Sequence, residues 1–398
     1  MPRKLKLALV SETFPPEVNG VAMTFGVIAG ELGRRGHEVT VFRPSAGPPA
    51  AEAARRHFHE VSLPGLPIPG YSALRFGLPA ACVLRRRWRS SRPDLVHVVT
   101  EGPLGASAIT AARDLAIPVT SSFHTNFHSY TRHYRVPWLR PLALAWLRRV
   151  HNRTRRTFVP TAELCRELTG QGFRHLQLLS RGIDTRHFRP ERRSPALRAS
   201  WGAEPADPVV IHVGRMAPEK NYPLLFRAYD AMRAANPRCR FVIAGEGPLR
   251  ERLMRQQPGC VFAGFFPREE IGRYYASADV YIHASLTETF GNVLTEAMAS
   301  GLAVAGFDYA AAAQFVRPGE SGLTMPCDRP EELIAAAVRL ATEPELRQRL
   351  REAARRAVDS QAWEKVITLF ETDLQQVIAE AGTPAIAPQP LPTSNAAA

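Results

Sequence analysis

The chain has 398 residues, of which 45% are hydrophobic and 22% charged, the profile of a globular protein long enough for two ordinary domains. No apolar run reaches the ~18 residues that a membrane-spanning helix needs, and the five cysteines (Cys82, Cys165, Cys239, Cys260, Cys327) are odd in number and never in C-x-x-C spacing, which argues against a disulfide framework or a zinc site and fits a reducing cytoplasm. The formal charge of +14 is uneven: residues 1–200 hold 31 Lys+Arg against 13 Asp+Glu and the remainder 20 against 24, so the basic half calls for an anionic partner, whether nucleic acid, an acidic membrane surface or a phosphorylated substrate.

The N-terminal run KLALVSE is ended by Ser11 and Glu12 and reads as a first buried strand, not a secretion signal. PPEVNGV follows as a strand-to-helix turn, where Asn19 and Gly20 let backbone approach a phosphate. G-x-G-x-x-G is absent there, so there is no nicotinamide fingerprint. The helix VAMTFGVIAGELGRRG comes next. HEVTVFRP, DLVHVVTEG, PVTSSFHT and TFVPTA continue as strands between helical stretches. His124 ends one of these strands and belongs in a cleft, whereas His128 and His133 fit structural roles. RRRWRSSR at 85–92 and the segment 136–156, with Trp138, Leu139, Leu142, Trp146 and Leu147 among arginines, suit the headgroup layer of an anionic membrane. A helix packed on the core with a basic outer face fits them as well.

Residues 186–207, rich in proline and charge, read as a linker between a first domain (1–185) and a second (208–345). The second domain repeats the pattern with PVVIHVGR, RFVIAGEG, CVFAGFF, DVYIHAS and LAVAGFD. Continuous apolar strands alternating with helices predict an α/β chain of two Rossmann-like, doubly wound parallel-sheet domains with a cleft between them. In GRMAPEKN, Arg215 and Lys220 project from a strand end and can neutralise a diphosphate. Gly245 opens GEGP, a second strand-end turn. The stretch LTETFGNVLTEAMASG places Glu288 in a strand-to-helix loop with Phe290, and Gly291 and Asn292 at a helix start with free N–H groups for phosphate. Glu296 lies one turn further on. Carboxylates repel phosphate, so Glu288 and Glu296 fit sugar hydroxyls beside it; the same spacing fits a capping acid and a solvated helix acid. Residues 346–380 read as one long helix and 381–398 as a disordered Pro/Ala-rich tail. No metal-ligand cluster and no G-x-S-x-G elbow is present.

With these residues in view, the order VSETFPPEVNGVAMTF, SFHTNF, VGRMAPEKN and TETFGNVLTEAMASG resembles the retaining glycosyltransferases of family 4 and the GT-B fold. SETFPPEVNGV and SFHTNF resemble a bacterial subgroup of GDP-mannose-dependent mannosyltransferases and glycolipid glycosyltransferases. The resemblance implies an acceptor-binding first domain and a nucleotide-sugar-binding second one. It implies that Gly20 contacts the distal phosphate, His124 the donor sugar, Arg215 and Lys220 the diphosphate, Glu288 the donor-sugar hydroxyls and Glu296 the ribose, with Gly264, Phe265 and Phe266 bracketing the base. It further implies that the final helix crosses back to the first domain. A nucleotide-sugar donor and a lipid-linked or glycolipid acceptor are the implied partners, with no metal or other cofactor. The implied place is the cytoplasm, peripheral at the inner face of the cell membrane. Two departures bear on the donor pocket: YAAAAQF stands where the family often has a glycine-rich loop, and Ala303 where proline is usual. A nucleotide-sugar epimerase of the same fold is the rival enzyme. The charge by itself also suggests a nucleic-acid-binding module, but no helix-turn-helix, RNA-binding aromatic pair or zinc spacing supports a nucleic-acid partner.

Overall fold

The computed structural model describes residues 3–17, 19–45, 57–68, 71–124, 140–285, 287–288 and 290–382. The first half builds a seven-stranded parallel sheet from β1 (Lys6–Val10), β2 (Glu38–Pro44), β3 (His59–Leu63), β6 (Leu95–Val98), β7 (Val119–Ser122), β8 (Arg156–Val159) and β9 (Leu176–Leu178), in the order β3-β2-β1-β6-β7-β8-β9. A short antiparallel hairpin, β4 (Gly65–Ile68) and β5 (Tyr71–Gly77), stands apart from it. The second half builds a six-stranded parallel sheet from β10 (Val209–Val213), β11 (Arg240–Ala244), β12 (Val261–Gly264), β13 (Val280–His283), β14 (Ala303–Phe307) and β15 (Leu323–Met325), ordered β12-β11-β10-β13-β14-β15. Strand order reverses between β1 and β6 in one sheet and between β10 and β13 in the other. Such switch points are where ligands bind in open α/β sheets.

The central strands are buried along their length, β6, β7, β13 and β14 completely, as apolar runs covered on both faces require. Five strands carry no readable run. β3 and β15 are sheet edges, β9 is a three-residue edge, and the β4–β5 hairpin is outside both sheets. An edge strand pairs on one side only, so its sequence need not be apolar throughout.

Residues 186–207 connect the sheets and are packed, not loose. Phe188, Leu197, Trp201 and Ala203 join the core of the second half, and buried Arg198 bonds Asp279 and four backbone carbonyls. The stretch 346–380 is two helices, where one was expected. Pro344–Ala357 packs Leu346, Leu350 and Ala354 on the second half. Trp363–Gly382 packs Ile367, Phe370, Leu374 and Val377 on the first, beside Leu7, Leu9 and Phe158. The break exists because the chain must cross between halves. At the crossing Ala362 pairs with Ile183, the other point of passage, through Ile183 N to Gln361 O and Trp363 N to Ile183 O. Gly182 leaves room for the Trp363 indole, since a Cβ there would stand 2.3 Å from the ring. Each of these four buried side chains, Ile367, Phe370, Leu374 and Val377, contributes about 1.5–3 kcal/mol. Arg35–Glu371 (2.9 Å) and Arg156–Asp373 (2.6 Å) fix its register. Of the tail, Ala381 and Gly382 are the end of this helix, and the rest lies outside the described residues, as do His128, His133, Trp138 and Leu139.

Candidate active site

The loops after β10 and β13 meet because the strands are neighbours. After β10 the chain turns at Gly214, runs through Arg215 and a 3-10 turn Pro218–Lys220, and enters the helix Tyr222–Ala235 from Asn221 in the left-handed region. After β13 it passes Glu288, turns at Gly291 (φ +96) and starts the helix Asn292–Ala299. Lys220 Nζ lies 2.5 Å from Glu288 Oε1, with both side chains about 15% exposed. Burial by itself would raise the Glu288 carboxyl, but the Lys220 ammonium overrides it and holds the group below the ordinary carboxylate range. Arg215 points outward, 60% exposed, and pairs with Glu219 at 2.7 Å. So the expected cations are at the strand end, and each has an acid of its own chain as partner.

The GEGP turn supports this loop. A Cβ on Gly245 would stand 1.9 Å from the Gly214 carbonyl, and one on Gly247 2.5 Å from that of Met216. Met216 N donates to Glu246 O and Gly245 N to Gly264 O. These glycines are required where backbone packs on backbone. At the next strand end Gly264 is left-handed, Phe265 is 65% exposed and Phe266 stacks on Tyr274, leaving Phe265 as the accessible aromatic there.

From the other side comes the helix Gly20–Arg34, whose Phe25, Ile28, Ala29 and Leu32 face the core at helical spacing. Asn19 caps it, its Oδ1 accepting from Val21 and Ala22 N–H. Its side-chain nitrogen donates to Thr13 Oγ1, so the Asn19 side chain is occupied by the fold. Gly20 faces Asn292 across the cleft: a Cβ on Gly20 would lie 3.8 Å from Asn292 Nδ2 and 2.7 Å from Arg181 Nη1. His124 closes β7, its ring against Phe25, with neither nitrogen hydrogen-bonded among the described residues. Burial, helped by Arg181, pushes it far below the ordinary histidine range, so it is neutral. Glu296 lines a crevice with Met23, Thr24, Val27, Thr295 and Trp363, and its Oε2 accepts from Tyr275 at 3.4 Å. Phe290 is buried against Phe315, beneath Arg181, and forms the floor of the site.

Three residues of this region have no signal in the pattern. Arg181 follows β9, an edge strand too short to read, so its strand-end position is invisible in the sequence. Glu163 accepts from Ala310 N at 3.2 Å across the cleft, beside a second crossing bond from Gln314 to Ser180. Ala310 itself sits at φ +52, ψ −126, where glycine is at ease; it belongs to the YAAAAQF segment. Tyr309 and Ala311 tie that segment to Ser285 O and Phe290 O, flanking Glu288. Glu12 lies at the β1–β6 switch point, accepting from Leu104 N at 3.0 Å, with Gly102 bare against its carboxylate. Burial pushes its carboxyl up to about 7, with Leu104 N–H opposing and Glu101 adding to the rise.

The segments expected at a membrane divide. In the helix Ala81–Ser90, Trp88 is 2% exposed and meets Phe42 edge-on, so this helix is packed on the core with a basic outer face. In the helix Arg140–His151, Leu147 is buried while Leu142 and Trp146 are exposed. Among the described residues no helix is long and apolar enough to cross a membrane.

Residues 18–187 match the family described as Glycosyltransferase Family 4, and residues 194–357 match Glycosyl transferases group 1. A GDP-mannose-dependent alpha-mannosyltransferase of Mycobacterium tuberculosis is 34% identical over 363 residues, covering 90% of this chain and 93% of that one. An alpha-monoglucosyldiacylglycerol synthase of Acholeplasma laidlawii is 27% identical over 366 residues, covering 86% and 89%. HepE from Anabaena, solved in complex with UDP, superposes with a TM-score of 0.76 at 18% identity, covering 94% of this chain and 100% of that one.

Proposed function

The chain belongs to glycosyltransferase family 4 and has the GT-B fold, and from that premise we propose that it moves a hexosyl group from a nucleotide sugar to a hydroxyl of a lipid-linked or glycolipid acceptor, with retention at the anomeric carbon. The observation that carries this reading is the part-buried Lys220–Glu288 pair at the switch point of the second sheet, next to the helix start where Asn292 faces Gly20 of the first half. A diphosphate entering there competes with Glu288 for Lys220. Once Lys220 turns to phosphate, Glu288 is free to accept from sugar hydroxyls. Arg215, Lys220 and the N–H groups at Gly291 and Asn292 then stabilise the charge that grows on the departing diphosphate. Neutral His124 offers a hydrogen bond to the sugar without adding charge. Attack comes from the face of the leaving group, whose phosphate oxygen takes the acceptor's proton. Cations of the chain supply the charge that a metal would otherwise supply, so the reaction runs without one.

GDP-mannose is the donor favoured by the likeness to the mycobacterial enzyme, and a UDP-sugar is the alternative. The diacylglycerol in the name of the Acholeplasma relative, together with exposed Leu142 and Trp146 on an arginine-rich helix, supports an acceptor held in an anionic membrane surface. A thermal-shift series with GDP, UDP, GDP-mannose and UDP-glucose tests the donor. A ligand that binds only the folded chain raises its melting temperature, so GDP and GDP-mannose are expected to give the largest rise. Flat melting curves with all four would remove the reading.

A further inference from the structure

Among the described residues Arg181 is a cation of the cleft without a partner of its own. Lys220 is paired with Glu288 and Arg215 with Glu219. Arg181 has no ion pair or hydrogen bond among the described residues, and its Nε is buried and unbonded. Its guanidinium carbon lies 5.8 Å from the centre of the Phe290 ring, and Nη1 stands 2.7 Å from where a Cβ on Gly20 would be. It shares one crevice with Thr24, Ser122, His124, Ser180 and Trp363, and both His124 nitrogens are likewise unbonded. Burial draws the guanidinium down to about 10, against the pull of Glu288. A largely enclosed cation with unused N–H donors is costly unless something completes it. Nothing else of the described chain does so.

We infer that Arg181 is a third phosphate-binding cation of the cleft, contributed by the first half, and that it takes the phosphate that carries the sugar. The inference rests on the reading above and adds a residue to it. A planar fork of donors matches two oxygens of one phosphate. Its place beside Gly20 and across from Asn292 is between the two helix starts that face each other over the cleft. The diphosphate is then gripped from both halves, by Lys220 and Arg215 on one side and Arg181 on the other, and donor binding draws the halves together. Gly20 gains a second reason to be glycine: any side chain there displaces the guanidinium.

The test compares nucleoside diphosphate with monophosphate on the full-length chain. Affinities of GDP and GMP, and of UDP and UMP, are measured by calorimetry for wild type, Arg181→Gln, Arg181→Lys and Gly20→Ala. Wild type is expected to prefer the diphosphate by about 10- to 100-fold, the range of a desolvated charge-assisted contact. Arg181→Gln keeps the monophosphate affinity and loses about tenfold on the diphosphate. Arg181→Lys, a point charge without the fork, falls between, and carries the test if Arg181→Gln does not fold. Gly20→Ala shifts in the direction of Arg181→Gln. A wild-type diphosphate preference that survives in the Arg181 variants overturns the inference while leaving the proposed function standing, as does an equal loss on both nucleotides. If wild type binds neither diphosphate, the proposed function itself fails.

Discussion

The two switch points of this protein have the same topology and opposite charge. At β10–β13, in the half where acids outnumber bases 24 to 20, the strand ends present Arg215 and Lys220. At β1–β6, in the half with 31 bases against 13 acids, they present Glu12 and Glu101, with Glu12 held near 7 by burial. The net charge of each half is therefore the reverse of the charge at its site. The surplus arginines of the first half are on outer helices: Arg85, Arg86, Arg87 and Arg89 on Ala81–Ser90, Arg148 and Arg149 on Arg140–His151. Bulk charge speaks for what the outer surface meets, and the strand ends speak for the substrate. A cationic end fits an anionic leaving group, and a half-protonated carboxyl fits a neutral hydroxyl.

The contrast is broken most directly at the second switch point. Lys220→Ala leaves Glu288 buried without its cation and is expected to lower turnover by about 10²–10³-fold, the scale of losing one electrostatic contact to the transition state. Exposed Arg215→Ala is expected to cost about tenfold, since water screens it. Initial rates at saturating donor, with far-UV circular dichroism as the folding control, decide this; equal losses would mean that Arg215 turns inward on donor binding.

A smaller effect tests the contact between the halves. Glu163→Ala removes the acceptor of the Ala310 N–H and lets the 309–311 segment, which flanks Glu288, relax. The donor KM is expected to rise about fivefold, the worth of one hydrogen bond of ~1 kcal/mol. Glu163→Gln keeps an acceptor oxygen and should restore most of it. Unchanged KM in Glu163→Ala would show that the segment is held by Tyr309 and Ala311 alone.

The smallest effect concerns the first switch point. Glu12 has a folded value of about 7 against an ordinary 4.5. A carboxyl raised on folding favours the folded state fully below about 4.5, and that contribution is lost as pH rises through 7. Glu12→Gln, which cannot ionise, should gain relative to wild type between pH 5 and pH 8, by at most about 2 kcal/mol after allowance for solvent screening. Parallel melting curves of the two proteins across that range would show that Glu12 is not shifted.

Much of this was legible because the signals are local. VVIHV, VYIH and AVAGF announce buried parallel strands by their apolar runs, and Gly291, Lys220 and Glu288 stand at strand or helix ends that can be read within a dozen residues. RRRWRSSR fits a membrane face and a core-packed helix alike, because the sequence shows that a tryptophan lies among arginines and not which face Phe42 covers; buried Trp88 decides for the core. Gly245 reads only as a strand-end turn, and its neighbour, the Gly214 carbonyl, comes from 31 positions away.

The sequence by itself determined two parallel α/β halves, the family and the cast of charged groups at the strand ends, since period, glycine placement and residue type are written in consecutive positions. Tertiary structure alone decided that Lys220 lies against Glu288, that Arg181 stands beside Gly20 without a partner among the described residues, and that Glu12 holds a proton near neutrality. Each of these depends on distance and desolvation between segments that are remote along the chain, and those quantities do not exist until the two halves have packed.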